Sequence, residues 1–480
     1  MRVFLTGAAM HHRFSISGSK HHGFGVSSVQ SFIGSKCLQF SITGAKALTD
    51  LMPGIFNVFS KKSSAQFQGP LSGRLSVEYG RQSSERVSVG DFSDAAHADG
   101  GHAFAGVFTI AYADANLFLN IGKYGMRYYQ VSDVSGQFSF RTYRNSRILT
   151  TALMLAVSAG YTLYAARMYG YTSYKAQVVL WMCIQKSVDA VEDVYHGMYQ
   201  QRGRLDVAAK CMTLRMLAVI VVFAVTTLLT GDLLAATVWT TVCSAALCTL
   251  LLRAVQPAFV QAGEPGAGTL RALLSGCFSL FLGAFLSFYI GNAPKYSIDH
   301  LLSDEVQACY GFIAMPVFII GLLSSVIYNP IIVKASLLWK ERRVAGFIGQ
   351  VARQALVIAG ITAVCEAGAW LIGIPVLSIL YNTDLSAYRA ELLIMLLGGG
   401  FLALSTLLAT FITVIRFQRS VAVCYGIVAA AAFLLSDRVV AGFGVMGASV
   451  LYTALMAFLC VCFLAAFVAG VTQCMRREML

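Results

Sequence analysis

The stretch 306–333, VQACYGFIAMPVFIIGLLSSVIYNPIIV, contains 28 residues and no charged side chain. A helix needs about 20 apolar residues to cross the hydrocarbon core of a bilayer. Uncharged runs of similar length recur at 148–166, 233–252, 272–294, 392–415 and 439–475. Strands that span membranes are shorter and alternate polar with apolar residues. The pattern therefore predicts an all-α integral membrane protein.

The composition agrees with this prediction. Of the 480 residues 57% are hydrophobic and only 12% are charged, and the mean hydropathy is +0.67. Soluble domains carry about 25% charged residues. A net charge of +13 would suggest nucleic acid as the partner of a soluble protein. Here the cationic residues lie mainly in short loops, which indicates membrane topology and anionic lipid, with no nucleic-acid partner.

Eleven segments after residue 103 are predicted to span the membrane. They are 103–124, 147–169, 174–199, 208–231, 233–253, 271–293, 306–333, 350–380, 389–415, 419–436 and 441–473. With the loop at 127–147 placed in the cytoplasm, the loops and the C-terminus on that side hold 17 Lys and Arg residues, against five on the opposite side. Positive charge collects on the cytoplasmic side of membrane proteins. We therefore expect a multi-pass protein of the cell membrane with a cytoplasmic C-terminus.

The first part of the chain has a different character. Residues 1–102 are rich in Ser, Gly and His and contain no clean span, so a first membrane helix is doubtful there. The histidine pairs in this segment have no accompanying Cys or carboxylate frame, so no metal site is predicted. We expect an atypical segment at 1–102, an N-terminal bundle at 103–254, a cytoplasmic linker at 255–270 and a C-terminal bundle at 271–475.

The third predicted span carries an unusual number of charges. In CIQKSVDAVEDVYHGMYQQRGRLD (183–206), Lys186, Asp189, Asp193 and His196 are spaced by 3, 4 and 3 residues. At 100° per residue these side chains share one face of a helix, with Glu192 at its edge. One interpretation is that this half of the helix lies in water beyond the membrane. The other is that the face lines an aqueous cavity, because ionisable residues inside spans usually mark a transport path.

Other polar and small residues inside spans extend this hypothesis. Asp114, Arg215 and Glu366 each lie within a predicted span. The triplet Gly398–Gly399–Gly400 indicates close helix packing, with a hinge as the alternative. No HExxH, GxSxG or P-loop motif is present, and no large loop follows residue 103. The chain is therefore predicted not to be an enzyme, and no cofactor is expected.

Several longer stretches resemble a known family. They are GVFTIAYADANLFLNIGKYGMRYYQVSDVSGQFSF (106–140), QQRGRLD (200–206), SFYIGNAPKYSIDHLL (287–302), YGFIAMPVFIIGLLSSVIYNP (310–330), GIPVLSILYNTDLSAYR (373–389) and GGGFLALSTLL (398–408). From about Ala105 to the C-terminus the chain resembles bacterial polysaccharide-biosynthesis membrane proteins. These are Wzx-like oligosaccharide-lipid flippases of the multidrug/oligosaccharidyl-lipid/polysaccharide exporter superfamily.

The resemblance implies two bundles of about six transmembrane helices in a V around a central cavity. It implies a flippase that moves a polyprenyl-diphosphate-linked oligosaccharide across the cytoplasmic membrane for surface polysaccharide or lipopolysaccharide biosynthesis, coupled to an ion gradient or to the membrane potential. The partners would be this substrate, membrane lipid and a polysaccharide polymerase.

The charged residues then receive expected roles. A diphosphate cannot cross hydrocarbon unpaired, so cations are needed along its route. We expect substrate binding by Lys186, Arg215 and Lys295. We expect Asp114, Asp189, Asp193 and Glu366 to bind a coupling ion or to hold those cations when no substrate is bound. Lys295 is placed at the outer mouth, where 271–293 ends near Gly291 and Pro294, and Asp299 is expected to balance it.

Two alternatives remain open. A multidrug or cation exporter of the same superfamily would favour an acidic cavity, and the basic residues argue against it. A polytopic membrane glycosyltransferase or polymerase would need an acidic motif in a sizeable outer loop, and the sequence after residue 103 has no such loop.

Overall fold

The computed structural model describes residues 101–479 except 134–135, 257–258, 260–267, 329–330 and 416. The predicted segment 1–102 lies outside these residues, apart from the two that begin the first helix, and so does most of the predicted linker 255–270. The described residues are helical with short connections, and no strand occurs among them.

The first six helices are α1 (Gly101–Lys123), α2 (Met126–Ser132), α3 (Phe140–Met168), α4 (Ser173–Gln201), α5 (Leu205–Thr230) and α6 (Leu233–Val255). The next four are α7 (Leu270–Leu301), α8 (Asp304–Ala314), α9 (Val317–Tyr328) and α10 (Ile332–Lys340). The last four are α11 (Val344–Gly368), α12 (Ile374–Leu380), α13 (Arg389–Val414) and α14 (Gln418–Met479). A π-helical turn, Ala369–Gly373, joins α11 to α12, and a 3-10 turn, Ser386–Tyr388, precedes α13.

Local sequence sets several helix ends. The Thr172 side chain accepts a hydrogen bond from the Lys175 backbone N–H, and Asp232 accepts two from the start of α6. Such side chains satisfy backbone donors that have no partner within the helix. Gly231 ends α5 in the left-handed region at φ 61°, a conformation that glycine adopts without steric cost. These signals make the connection between α5 and α6 very short.

The helices pack around two main hydrophobic cores. In the first, α1, α3 and α6 all pack on α4, and α5 packs on α6. In the second, α14 packs on α13 and α7, and α11 and α9 pack on α13. The two groups, α1–α6 and α7–α14, meet where α1 contacts α7 and α8.

Nine helical stretches in the described part of the chain are long and apolar enough to cross a membrane. The difference from eleven predicted spans has two causes. The charged helix α4 is not among the nine, and the stretch 418–475 counts once although Gly444, at φ 56° and ψ −137°, divides α14 into two helices. The expectation of an all-α integral membrane protein is confirmed.

The structure refines two predicted spans. The stretch 306–333 contains a break, because α8 ends at Ala314 and α9 begins at Val317, just after Pro316, although Asp304–Ser324 as a whole is long and apolar enough to cross a membrane. Proline removes a backbone donor and clashes with the preceding turn. Pro294, in contrast, lies inside α7, which continues past residue 293 to Leu301. The region around Lys295 is therefore a helix and not an outer loop.

Many large apolar side chains lie on the outside of the molecule. Examples are Leu356, Val364, Phe433 and Ile379, which are between 73% and 82% exposed. Soluble monomers rarely expose apolar patches of this extent. Exposed apolar surfaces of this kind are expected on membrane-spanning helices, because they face the hydrocarbon chains of the lipid.

Candidate functional site

The charged half of α4 is packed inside the N-terminal helices. Glu192, Asp193 and His196 are each at most 4% exposed, and Lys186 is 8% exposed. Helices α1, α3 and α6 surround α4. These side chains therefore contact neighbouring helices and do not form an exposed face of α4.

Arg215 on α5 joins three helices through its guanidinium group. Its Nε and Nη2 donate to Glu192 Oε2 at 2.9 and 2.7 Å, and Nη1 donates to Ser244 Oγ on α6 at 2.7 Å. Nη2 also lies 2.7 Å from Asp189 Oδ1. Hydrogen bonds between an ionised guanidinium group and a carboxylate are among the stronger polar contacts in proteins. The structure thus brings Arg215 and Asp189 together and adds Glu192, which the sequence analysis had placed only at the edge.

Lys186 shares Asp189 with Arg215. Its Nζ lies 3.2 Å from Asp189 Oδ2 and 4.8 Å from the centroid of the Tyr112 ring on α1. An ammonium group over an aromatic face is attracted by the ring quadrupole. Two of the three expected substrate-binding cations are therefore held by one carboxylate that we expected to balance them.

Asp193 belongs to a second group of ion pairs. Arg147 Nη2 donates to Asp193 Oδ2 at 3.0 Å, and Arg127 Nη1 donates to Asp193 Oδ1 at 3.3 Å. Arg147 also donates to the Gly122 carbonyl at 2.6 Å and is 1% exposed. From the sequence, Arg127 and Arg147 are expected to be cations of the cytoplasmic loop 127–147. Only the packing of α2 and α3 against α4 shows that they face Asp193.

A third group lies at the opposite end of α4. Lys175 Nζ is 2.7 Å from Asp299 Oδ1 on α7 and 2.7 Å from Asp304 Oδ1 on α8. The Tyr171 hydroxyl donates to Asp299 Oδ2. Burial, followed by the nearby carboxylates, raises the pKa of the Tyr171 phenol, so this group stays protonated and acts as a donor. Together these contacts tie the N-terminal group of helices to α7 and α8.

The expected pairing of Lys295 with Asp299 was therefore wrong. Asp299 is occupied by Lys175 and Tyr171, and Lys295 makes no ion pair with any of the residues described in the structure. Lys295 is half-buried on α7. The neighbouring Tyr296 donates to the Ala113 carbonyl on α1 at 3.4 Å, so this part of α7 faces the N-terminal helices.

The remaining two candidates are separated from these groups. Asp114 on α1 is 1% exposed, and its Oδ2 has no hydrogen-bond partner among the described residues. Glu366 lies on α11 in the C-terminal group, and its buried Oε1 likewise has no partner in the described part of the chain. The described residues contain no group of three or more His, Cys, Asp and Glu side chains placed to hold a metal ion.

Comparison with known proteins gives a match at the level of structure. No family model and no curated protein sequence matches the chain. An inward-facing multidrug resistance MATE family transporter of the MOP superfamily has a TM-score of 0.59 at 12% identity, covering 80% of this chain and 94% of that chain. The lipid II flippase MurJ in an inward closed conformation has a TM-score of 0.61 at 11% identity, covering 81% and 89%. The Vibrio cholerae MATE transporter VcmN in the bent form has a TM-score of 0.54 at 10% identity, covering 83% and 97%.

These similarities define the class of fold. The chain is an all-α integral membrane protein with the architecture of MOP-superfamily proteins. Both a multidrug transporter and a lipid flippase share that architecture, so the fold alone does not choose between their substrates.

Proposed function

We propose that the protein is a flippase for a polyprenyl-diphosphate-linked oligosaccharide in the cell membrane and acts in surface polysaccharide biosynthesis. The observation that carries this proposal is Lys295, a half-buried ammonium group on α7 that has no anionic partner among the described residues. A charge removed from water is costly unless it is paired. An anionic substrate group supplies the missing partner.

Lys186 and Arg215 complete the proposed substrate-binding set. Both are paired with Asp189 in this structure. A diphosphate that approaches them competes with Asp189 and Glu192 for the same donors. Asp189 and Asp193 then act as the carboxylates that hold cations in the absence of substrate.

Asp114 and Glu366 are proposed to bind the coupling ion. Each has a buried carboxylate oxygen without a hydrogen-bond partner among residues 101–479 that the structure describes. A buried carboxylate in this situation gains from binding a proton or another cation. The ion-coupling set is therefore Asp114 and Glu366, together with Asp189 and Asp193 whenever substrate displaces their partners.

A multidrug or cation exporter is the second candidate. The structural similarity to MATE family transporters and the unpartnered oxygen of Asp114 favour it. The unpaired Lys295 opposes it, because a cationic substrate would be repelled by this ammonium group.

Two further proposals belong to the flippase. A polysaccharide polymerase is proposed as its partner. Its C-terminus is proposed to lie in the cytoplasm.

Reconstituted protein can distinguish the two candidates. Proteoliposomes containing the full chain would receive a fluorescent short-chain polyprenyl-diphosphate N-acetylglucosamine, and dithionite would report how fast the label changes leaflet. We expect faster transbilayer movement with the wild-type chain and loss of this effect in Lys295→Met. Arg167→Ala is the matched control, because Arg167 is an exposed cation near the end of α3.

A different outcome of the same assay would favour the exporter. Transport of a cationic dye by the wild-type chain, without any acceleration of the diphosphate lipid, would replace the flippase proposal by the exporter.

A further inference from the structure

Lys295 and Asp299 are separated by four residues on α7. Side chains at this spacing lie on the same face of a helix and can form an ion pair. They do not do so here, because the Asp299 carboxylate is taken by Lys175 and Tyr171. The unpaired state of Lys295 is therefore a consequence of a contact made with another part of the chain.

That contact crosses between the two groups of helices. Lys175 lies in the first turn of α4, Tyr171 lies in the connection just before this helix, and Asp299 is near the end of α7. Lys175 also holds Asp304 at the start of α8. Further along α8, a Cβ atom on Gly311 would lie 3.0 Å from Thr109 Cγ2 of α1, so the two groups are closely packed at this interface. Separation of the groups at this end would remove Lys175 and Tyr171 from Asp299 together.

We propose that Asp299 exchanges its partner between Lys175 and Lys295, and that this exchange releases the diphosphate of the substrate. The inference rests on the proposed function, in which Lys295 binds the diphosphate. When the two groups are in contact, Asp299 is neutralised by Lys175 and Lys295 is free to bind an anion. When they separate, the Asp299 carboxylate turns to Lys295 and competes with the bound diphosphate.

In this way the separation of the two helix groups is coupled to the release of the diphosphate from Lys295, and no additional cation has to enter the site. A substrate held by Lys295 loses its partner at the same moment at which the path to the outer side opens. Asp299 is therefore a positioning residue, because it acts on the substrate only through Lys295.

Binding of farnesyl diphosphate to the purified full chain tests the exchange by titration calorimetry. Lys175→Met frees Asp299 and should weaken binding by about fivefold or more, the lower range of coupling between sites. Asp299→Asn alone should leave the affinity close to wild type, because Asp299 is already neutralised by Lys175. The double variant Lys175→Met/Asp299→Asn should recover the wild-type affinity.

The matched control removes the other carboxylate that Lys175 holds. Lys175→Met/Asp304→Asn makes the same change of charge, but Asp304 lies on α8 and not on the face of α7 that carries Lys295. This variant should stay as weak as Lys175→Met. Equal recovery in both double variants would show that only net charge matters, and an unchanged affinity in Lys175→Met would show that Asp299 does not reach Lys295; either result overturns the exchange.

Lys295→Met separates this inference from the proposed function. If Lys295→Met loses farnesyl diphosphate while Lys175→Met does not, the diphosphate site stands and the partner exchange is wrong. If the wild-type chain does not bind farnesyl diphosphate, or if Lys295→Met binds it as tightly as wild type does, the diphosphate site itself is wrong.

Discussion

Among single residues, Arg215 links two carboxylates and a hydroxyl on the helices that flank it. One guanidinium group satisfies Glu192, Ser244 and Asp189, and it is 2% exposed. A buried ion pair adds little stability compared with apolar residues, but removal of one partner leaves a buried charge uncompensated. Arg215 is therefore a structural residue as well as a candidate for binding substrate.

Arg215→Ala is expected to destabilise the protein by about 3–5 kcal/mol, since Glu192 loses its main cation. Arg215→Lys should restore only part of this loss, because an ammonium group cannot donate to both carboxylates and to Ser244 in the geometry of the guanidinium fork. Thermal unfolding in detergent measures both. Arg204→Ala is the control, since the pair with Asp206 is exposed and worth about 1 kcal/mol or less. Equal melting temperatures for Arg215→Ala and Arg204→Ala would contradict this assignment.

Among the helices, the glycine triplet of α13 sets how closely three neighbours approach. A Cβ on Gly398 would lie 2.7 Å from Thr453 Oγ1 of α14, one on Gly399 2.9 Å from Val317 Cγ1 of α9, and one on Gly400 2.6 Å from Thr362 Cγ2 of α11. Small residues allow membrane helices to pack closely. The predicted role in packing is thus confirmed by contacts on three sides.

Gly400→Ala should destabilise the C-terminal helices by about 1–3 kcal/mol, because the added methyl group has to displace Thr362 or separate α11 from α13. Gly360→Ala on α11 is the matched control, since no atom of the described residues lies within 4 Å of its added Cβ. Thermal unfolding of the two variants in the same detergent compares them. A Gly400→Ala protein as stable as Gly360→Ala would show that the close approach is not required.

For the molecule as a whole, the distribution of Lys and Arg predicts the orientation. Seventeen lie in the segments assigned to the cytoplasmic side and five in those assigned to the other side. Ser336 on α10 and Ser303, which precedes α8, fall on opposite sides in this assignment.

A cysteine introduced at Ser303 should react with an impermeant thiol reagent in intact cells, whereas one at Ser336 should react only after the membrane is opened. This expectation follows from the tendency of positively charged loops to stay on the cytoplasmic side. The unmodified chain gives the background from its native cysteines. The reverse labelling pattern would mean that the orientation is inverted.

The amino-acid sequence was sufficient to predict that this protein lies in a membrane and to predict most of its helices. Uncharged runs of about 20 residues need no tertiary information to predict membrane helices, because burial in hydrocarbon acts on each segment separately. Likewise, the spacing of Lys186, Asp189 and Asp193 on one side of α4 followed from helical geometry. Helix boundaries were predicted less well, as α7 shows, because Pro294 is tolerated inside a membrane helix that neighbouring helices support.

Tertiary packing, in contrast, determines which charges meet. Tyr171 and Asp299 are 128 positions apart, and Arg147 and Asp193 are 46 apart, so no local spacing relates them. The pairing of Asp299 with Lys175 overrode the closer sequence neighbour Lys295, since the first turn of α4 meets the end of α7 and brings Lys175 Nζ within 2.7 Å of the carboxylate. A hydrophobic pattern specifies which face of a helix is buried, but ion pairs depend on the packing and rotation of two helices, which the pattern of either one does not contain.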